Sequence, residues 1–213
     1  MTGQPTRPLR LEQISTRLRD GTAVRVRPIR PDDKPLIVDG FDRMSEQSRF
    51  RRFMAPIAKL TDGQLRYLTE VDAWDHFAWI AVLRERPDVA VGVARYVRLP
   101  AEPSVAEAAL TVIDDWQGKG LGTLMLGLLA VAARTAGIDR FRAYVLTENE
   151  PMREMLEDLG AEARHDSPGV LRLDVPLSPD LLPDSPAARV LKFVAANLDV
   201  GMRAAPLETP PGP

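Results

Sequence analysis

Cysteine is absent from this 213-residue chain, and histidine occurs only twice. Without cysteine, the chain has no disulfide, no thiolate nucleophile and no cysteine ligand for zinc. His76 and His165 lie in separate parts of the sequence, which argues against a histidine-based metal centre. We therefore expect no metal cofactor.

Long apolar runs and an excess of charge are also missing. No run reaches the roughly 18 apolar residues of a membrane-spanning helix, and the N-terminal residues lack the apolar segment of a secretory signal. The 28 basic and 30 acidic side chains nearly cancel, whereas dedicated nucleic-acid binders carry a strong basic excess. The composition predicts a soluble, cytoplasmic protein with neither a membrane nor a nucleic acid among its partners.

Three segments of the chain differ in composition. Residues 1–20 are polar and unpatterned, and we expect them to be flexible unless another segment holds them in place. Residues 21–176 alternate strand and helix patterns and are predicted to form one domain. Eight prolines from Pro176 onward mark residues 177–213 as an appendage.

The appendage contains one helical pattern. Ser185 followed by Pro186 is typical of a helix start, and apolar residues then recur at helical spacing. This predicts an amphipathic helix at about 186–200, followed by a disordered ending. We expect the helix to dock on the domain or to contact a second copy of the chain in a homo-oligomer.

The central segment predicts an α/β (α+β) fold. Its elements follow the order β-α-α-β-β-β-α-β-α-β-β, in which only the long helix joins two strands by a crossover. We therefore expect a mixed, mostly antiparallel sheet with flanking helices. The predicted strands cover 23–29, 77–83, 89–97, 105–113, 141–146 and a hairpin within 163–176, and the later helices cover 120–136 and 150–159.

A glycine-rich turn is the most informative motif. Gly118, Gly120 and Gly122 stand between the end of an apolar strand and the start of the long helix. Glycine leaves the backbone bare, and the first N–H groups of a helix have no intrahelical partner. Such a turn can bind a phosphate or a pyrophosphate, although a loop that only turns the chain tightly is the alternative.

The spacing of this turn matches neither a P-loop nor a dinucleotide-binding fingerprint. It fits the pattern Gln117-x-x-Gly120-x-Gly122, and here the sequence resembles the GNAT superfamily of acyl-CoA-dependent N-acyltransferases, over roughly residues 22–176. The resemblance implies a GNAT-like sheet and acetyl-CoA as co-substrate. It also implies that the backbone at the strand end pairs with the pantetheine arm, at Thr111, Val112 and Ile113. The amides of the loop are implied to bind the pyrophosphate, at Gln117, Gly118, Lys119, Gly120, Leu121, Gly122 and Thr123.

A second signature follows the next strand. Asn149 occupies the position at which family members contact the pantetheine, although an asparagine there is also a good helix cap. One position departs from the pattern, because Leu156 stands where many members carry a tyrosine that acts as general acid. The tyrosines of the chain lie elsewhere in the sequence, so the acid is left unassigned.

Glu107 is the predicted general base. It lies in the otherwise apolar strand that leads into the glycine turn, on the predicted face of Ala109 and Thr111. An amine must lose a proton before it attacks a thioester, and a carboxylate can accept that proton. A solvated glutamate at a strand edge is the alternative.

His76 is a rival base, but its neighbour Asp75 points to the opposite face of a strand, so we expect a structural role for His76.

The acceptor is predicted from further resemblance. The segments around 44–53, 60–62, 71–72 and 116–122 are similar to bacterial protein lysine acetyltransferases, which implies a protein acceptor such as an acyl-CoA synthetase. Three arginines, Arg49, Arg51 and Arg52, are interleaved with two phenylalanines and are expected to help dock it. An acetyltransferase for a small amine and a non-catalytic acyl-CoA sensor are the alternatives.

Overall fold

The computed structural model describes residues 13–198, which are organised by one eight-stranded sheet. The strand order is β1-β2-β3-β4-β5-β6-β8-β7, and only β5 and β6 run parallel to each other. This confirms the predicted mixed, mostly antiparallel sheet. The strands are β1 (Ile14–Arg17), β2 (Ala23–Pro28), β3 (His76–Leu83), β4 (Ala90–Leu99), β5 (Glu102–Val112), β6 (Arg140–Leu146), β7 (Glu162–Ser167) and β8 (Val170–Pro176).

Helices cover both faces of the sheet. The alternation of β3 shows the two layers, because Phe77 and Trp79 belong to one apolar core while Ala78 and Ile80 belong to the other. The first core includes α4, α5 and α6, and the second includes α1 and α3. The helices are α1 (Lys34–Asp42), α2 (Glu46–Phe53), α3 (Asp62–Thr69), α4 (Leu121–Thr135), α5 (Glu150–Glu157) and α6 (Pro186–Leu198).

The N-terminal segment is less free than the sequence suggests. Residues 1–20 were expected to be flexible, but Ile14–Arg17 forms β1 and pairs antiparallel with β2. Leu18, which follows it, is buried in the apolar core that also contains α4. The strand has only four residues and the segment contains few apolar ones, so the sequence shows too little alternation to predict β1. Residues 1–12 lie outside the described range.

Helix α2 is a second departure from the predicted order. The segment rich in arginine and phenylalanine forms a helix of its own, which begins after Ser45, whose side chain accepts a hydrogen bond from the Ser48 N–H. No residue of α2 is buried. It therefore has no fully buried apolar stripe, which is the pattern that predicts helices from sequence.

The C-terminal helix is present where it was expected. Ser185 caps it by accepting a hydrogen bond from the Ala188 N–H at 3.0 Å. Leu191 and Val194 are buried in the core that contains α4, and the helix passes close to Gly127, at which a Cβ would lie 3.4 Å from Val194. Of the two predicted docking surfaces, the domain itself is the one observed. The predicted disordered ending falls outside the described residues.

Strands β5 and β6 separate soon after they meet. Their parallel pairing is limited to Val105–Arg140, Ala106–Phe141 and Glu107–Arg142. Beyond Glu107, β5 continues along β4 as far as Val112, while β6 continues along β8. An opening is thereby left in the middle of the sheet. Within residues 13–198, no helix combines the length and apolar character needed to cross a membrane.

Candidate active site

A groove of about 860 Å³ occupies the opening between β5 and β6. Its walls come from α2 and the glycine turn, from α5 and from the first residues of α6. Glu107 and Thr111 lie on its β5 side, and Tyr144 lies on its β6 side. One continuous surface therefore joins the predicted phosphate-binding turn to the predicted base.

The open edge of β5 forms one side of the groove. In the described sheet, residues 108–112 of β5 pair with β4 but not with β6. An unpaired strand edge offers N–H and C=O groups at regular spacing to an extended ligand. Thr111 and Val112 line the groove, whereas the Ile113 side chain is buried and lines a small apolar cavity beneath α1 and α2.

The glycine turn forms the end of the groove next to α4. Gly118 and Gly120 have φ of 71° and 85°, a conformation that favours glycine. A Cβ on Gly122 would lie only 3.3 Å from Leu110. The first N–H groups of a helix have no intrahelical acceptor, and Gly120, which precedes the first residue of α4, provides no side chain to cap them. The first of the predicted loop ligands, Gln117, also lines the groove, as does Thr123.

Two predicted loop ligands have their side chains elsewhere. The Lys119 ammonium lies 3.1 Å from the Asp20 carboxylate and 4.3 Å from the centre of the Trp116 ring. Leu121 is 1% exposed and belongs to the core. Neither side chain lines the groove, so in this structure both hold the turn against the rest of the fold.

Asn149 lines the groove at the start of α5. Its side chain makes no capping hydrogen bond within the described residues, which leaves the amide group available to a ligand. Leu156 lies on the same helix but is buried in the core. Tyr144, which the sequence analysis set aside, lines the groove. Strand alternation opposite the buried Phe141 and Ala143 is the signal that indicates this position.

Glu107 presents an exposed carboxylate to the groove. Arg52, on α2, faces it across the groove. Burial lowers the pKa of the Arg52 guanidinium, while Tyr67 and the negative charge of Glu107 act in the opposite direction. The carboxylate and this partly desolvated cation therefore line the same groove.

His76 lies outside the groove lining. Its Nε2 accepts a hydrogen bond of 3.0 Å from the Arg95 guanidinium, and its ring lies 4.9 Å from that of Tyr67. Burial, followed by the charge of Arg95, lowers the pKa of His76 to about 4. Asp75 pairs with Arg98 instead. This geometry favours the structural role that the sequence predicted for His76.

The arginine cluster on α2 is divided between two roles. Arg49 was expected to help dock the acceptor, but it donates to the carbonyl oxygens of Phe41 and Asp42 at 3.0 Å and 2.9 Å. It therefore ties α2 to α1, because its donors point back into the fold. Arg51 and Arg52 do line the groove.

Asp114 fixes the position of α2 relative to the glycine turn. Its carboxylate accepts hydrogen bonds from the Ser45 N–H at 3.0 Å, the Ser45 hydroxyl at 3.1 Å and the Ser48 hydroxyl at 2.6 Å. Burial raises the pKa of Asp114, but these hydrogen bonds outweigh that effect and leave it below the ordinary value. Sequence patterns did not indicate this contact, since it joins segments that are far apart along the chain.

Comparison with known proteins identifies the family. The model of the family described as the acetyltransferase (GNAT) domain matches residues 23–162. The chain belongs to the GNAT acetyltransferase family. The match includes β2 to α5, and therefore both β5 and the glycine turn. It confirms the predicted family and fold.

Relatives of this GNAT chain include a mycobacterial and a streptomycete protein. The acetyltransferase Pat of Mycolicibacterium smegmatis is 37% identical over 174 residues, which cover 81% of this chain and 52% of that protein. The chain thus spans about half the length of this relative. The crystal structure of the GNAT domain of S. lividans PAT has a TM-score of 0.72 at 32% identity, and the match covers 77% of this chain and 96% of that one.

A more distant structure shows the same fold. The structure of yncA from Salmonella typhimurium, solved with its cofactor acetyl-CoA, has a TM-score of 0.59 at 17% identity. The match covers 76% of this GNAT chain and 98% of that one.

Proposed function

We propose that this chain transfers the acetyl group of acetyl-CoA to the side-chain amine of a protein lysine, with Glu107 as general base. The observation that carries the proposal is the single groove along the open edge of β5, which has the glycine turn at one end and Glu107 at the other. Family membership and the acetyl-CoA in the structure of yncA support the co-substrate.

The groove suits an acyl-CoA molecule. The pyrophosphate would lie over residues 118–123, where bare glycine backbone meets the start of α4. The pantetheine arm, which carries amide groups, would add to the edge of β5 at 108–112 and reach Asn149. At the end of this edge, the Val112 carbonyl oxygen already accepts a hydrogen bond of 3.0 Å from the Gln117 side chain. This arrangement leaves the thioester within the opening between β5 and β6, towards Glu107.

The chemistry then needs one base and one route for proton return. Glu107 accepts a proton from the lysine ammonium, directly or through a water molecule, and the neutral nitrogen attacks the thioester carbonyl. As the new C–N bond forms and the C–S bond breaks, the nitrogen gives up its second proton to water, and CoA leaves as a thiolate. A proton returns to sulfur from water or from the Tyr144 hydroxyl, which is in the groove where Leu156 is not.

A protein acceptor is favoured by the relatives and by α2. Two relatives described above, S. lividans PAT and M. smegmatis Pat, match this chain at 32% and 37% identity. Arg51 and Arg52 project from α2 into the groove that holds Glu107. Guanidinium groups there suit an acidic surface around the acceptor lysine, and an acyl-CoA synthetase is one protein to test.

The experiment is to compare Glu107→Gln with wild type in an assay of CoA thiol release, using acetyl-CoA and a folded protein acceptor. Losing the base should lower kcat by about 10²–10⁴-fold, while acetyl-CoA affinity stays within twofold or so because the base does not hold the cofactor. Glu85→Gln, in the exposed loop after β3, is the matched control. Retention of most activity by Glu107→Gln would assign proton removal to another group.

The buried Leu156 favours a second function, that of an acyl-CoA-binding sensor without turnover. The same assay separates the two, because a sensor binds acetyl-CoA but produces no thiol above the background hydrolysis. Turnover with small amines but with no protein would instead give a small-molecule acetyltransferase.

A further inference from the structure

We propose that Arg19, in the turn between β1 and β2, is a ligand of the acyl-CoA pyrophosphate and supplies the full positive charge that the Lys119 ammonium, paired with Asp20, does not bring to the groove. This inference rests on the proposed function, since it concerns the same groove. It adds a binding residue that lies before the segment matched by the family model, residues 23–162.

The backbone places Arg19 beside the glycine turn. Its N–H donates to the Lys119 carbonyl oxygen at 3.2 Å, so the β1–β2 turn and the glycine turn are joined by a main-chain hydrogen bond. Leu18 anchors the same turn, because its side chain is buried and its N–H donates to the Thr22 carbonyl at 2.9 Å. The position of Arg19 is therefore fixed by contacts on both sides.

The side chain of Arg19 lies over Gly120. Its Nε is 3.3 Å from the point where a Cβ on Gly120 would lie, and its Cδ and Cγ are 3.5 Å from that point. Arg19 also lines the groove and is exposed to solvent. Its guanidinium makes no hydrogen bond or ion pair with any other residue in the range 13–198. All of its donors are thus available at the predicted pyrophosphate position.

Lys119 is committed to other partners. Its ammonium is paired with Asp20 and rests on the Trp116 ring, and the side chain does not line the groove. The two cations that flank Gly120 therefore differ. One is neutralised by a neighbouring carboxylate, while the other, Arg19, carries an uncompensated charge into the groove.

The chemistry matches this placement. A pyrophosphate in an ester link carries two negative charges, and the N–H groups at the start of α4 supply only partial positive charge. A guanidinium provides a full charge and a planar pair of donors that fits phosphate oxygens. Arg19 and the start of α4 would then hold the pyrophosphate between them.

Calorimetry on the full chain tests the assignment with two ligands, CoA and 3′-dephospho-CoA. Arg19→Ala should weaken both to the same extent, by about tenfold, or about 1.4 kcal/mol. The affinity of Arg19→Lys for each ligand should lie between those of Arg19→Ala and wild type. Lysine keeps the positive charge but lacks the planar pair of guanidinium donors. Arg17→Ala is the matched control, since Arg17 is in the same hairpin, donates to the Gly21 carbonyl oxygen and does not line the groove.

Each outcome bears on the assignment. Equal weakening of both ligands in Arg19→Ala, with Arg17→Ala like wild type and unchanged melting temperatures, supports it. A loss confined to CoA would place Arg19 on the 3′-phosphate and overturn the pyrophosphate contact. No loss, or the same loss in Arg17→Ala, would reduce Arg19 to a structural residue of the hairpin. Wild type that binds neither ligand would instead remove the proposed function.

Discussion

Acidification from pH 7 to pH 5 should destabilise the fold through His76. In the unfolded chain the imidazole takes up a proton near pH 6.5, whereas in the folded chain burial and Arg95 keep it neutral down to about pH 4. The folded state thus disfavours the protonated ring. The stability that depends on the neutral ring is fully present above pH 6.5 and is lost as the pH falls from 6.5 towards 4.

The size of this effect follows from proton linkage. At pH 5, which lies between the unfolded and the folded pKa of His76, linkage without any screening predicts a loss of about 2 kcal/mol in the free energy of unfolding. His76 is only partly buried, and screening by solvent reduces the expected loss to about 1 kcal/mol. The Arg95 guanidinium contributes to this loss directly, because it can donate a hydrogen bond to a neutral Nε2 but repels a protonated ring.

Urea unfolding at the two pH values measures this loss. His76→Gln retains an amide oxygen that can accept from Arg95 but does not titrate, so its stability should change much less with pH. His165→Gln, on the exposed strand β7, is the control and should behave like wild type. The same pH dependence in all three proteins would refute the neutral contact between His76 and Arg95, and would reopen His76 as a base.

Two further predictions concern the groove. Gly120→Glu should weaken acetyl-CoA binding by more than tenfold, which is more than about 1.4 kcal/mol, because it adds bulk and negative charge where φ is 85°. Gly137→Glu, at the other end of α4 with φ of 79°, is the calorimetric control. Reversing Arg51 and Arg52 to glutamate should raise KM for a folded protein acceptor severalfold, in a salt-sensitive manner, but not KM for a small amine. Arg134→Glu should change neither, and equal losses for both acceptors would assign the two arginines to the fold.

Much of the fold was predictable because its longest elements carry clear patterns. The buried face of α4 repeats at helical spacing, and β3 reads as a continuous apolar run because both faces are covered. β1 and α2 were missed for the opposite reason, since one has only four residues and the other buries none. Their positions depend on contacts with β2 and with Asp114, which local patterns do not show.

The candidate site also has features that the sequence predicts and features that it does not. The conformation of the glycine turn was predictable, because glycine at Gly118 and Gly120 marks a backbone with positive φ directly. The roles of side chains depend on what lies opposite them. Lys119 is paired with Asp20, Arg49 with the carbonyls at the end of α1, and Arg19 is left to face the groove. These partners come from segments that are distant in sequence.

The most direct test of the central claim is mass spectrometry of acetyl transfer. A cell lysate would be incubated with isotopically labelled acetyl-CoA and either wild type or Glu107→Gln, and labelled lysines would be quantified on folded proteins. The proposed function predicts that wild type places label on the side-chain amine of specific lysines. Glu107→Gln should lower the amount of label by about 10²-fold or more. Lysine labelling by wild type at the level of an enzyme-free control, or equal labelling by the two proteins, would contradict it.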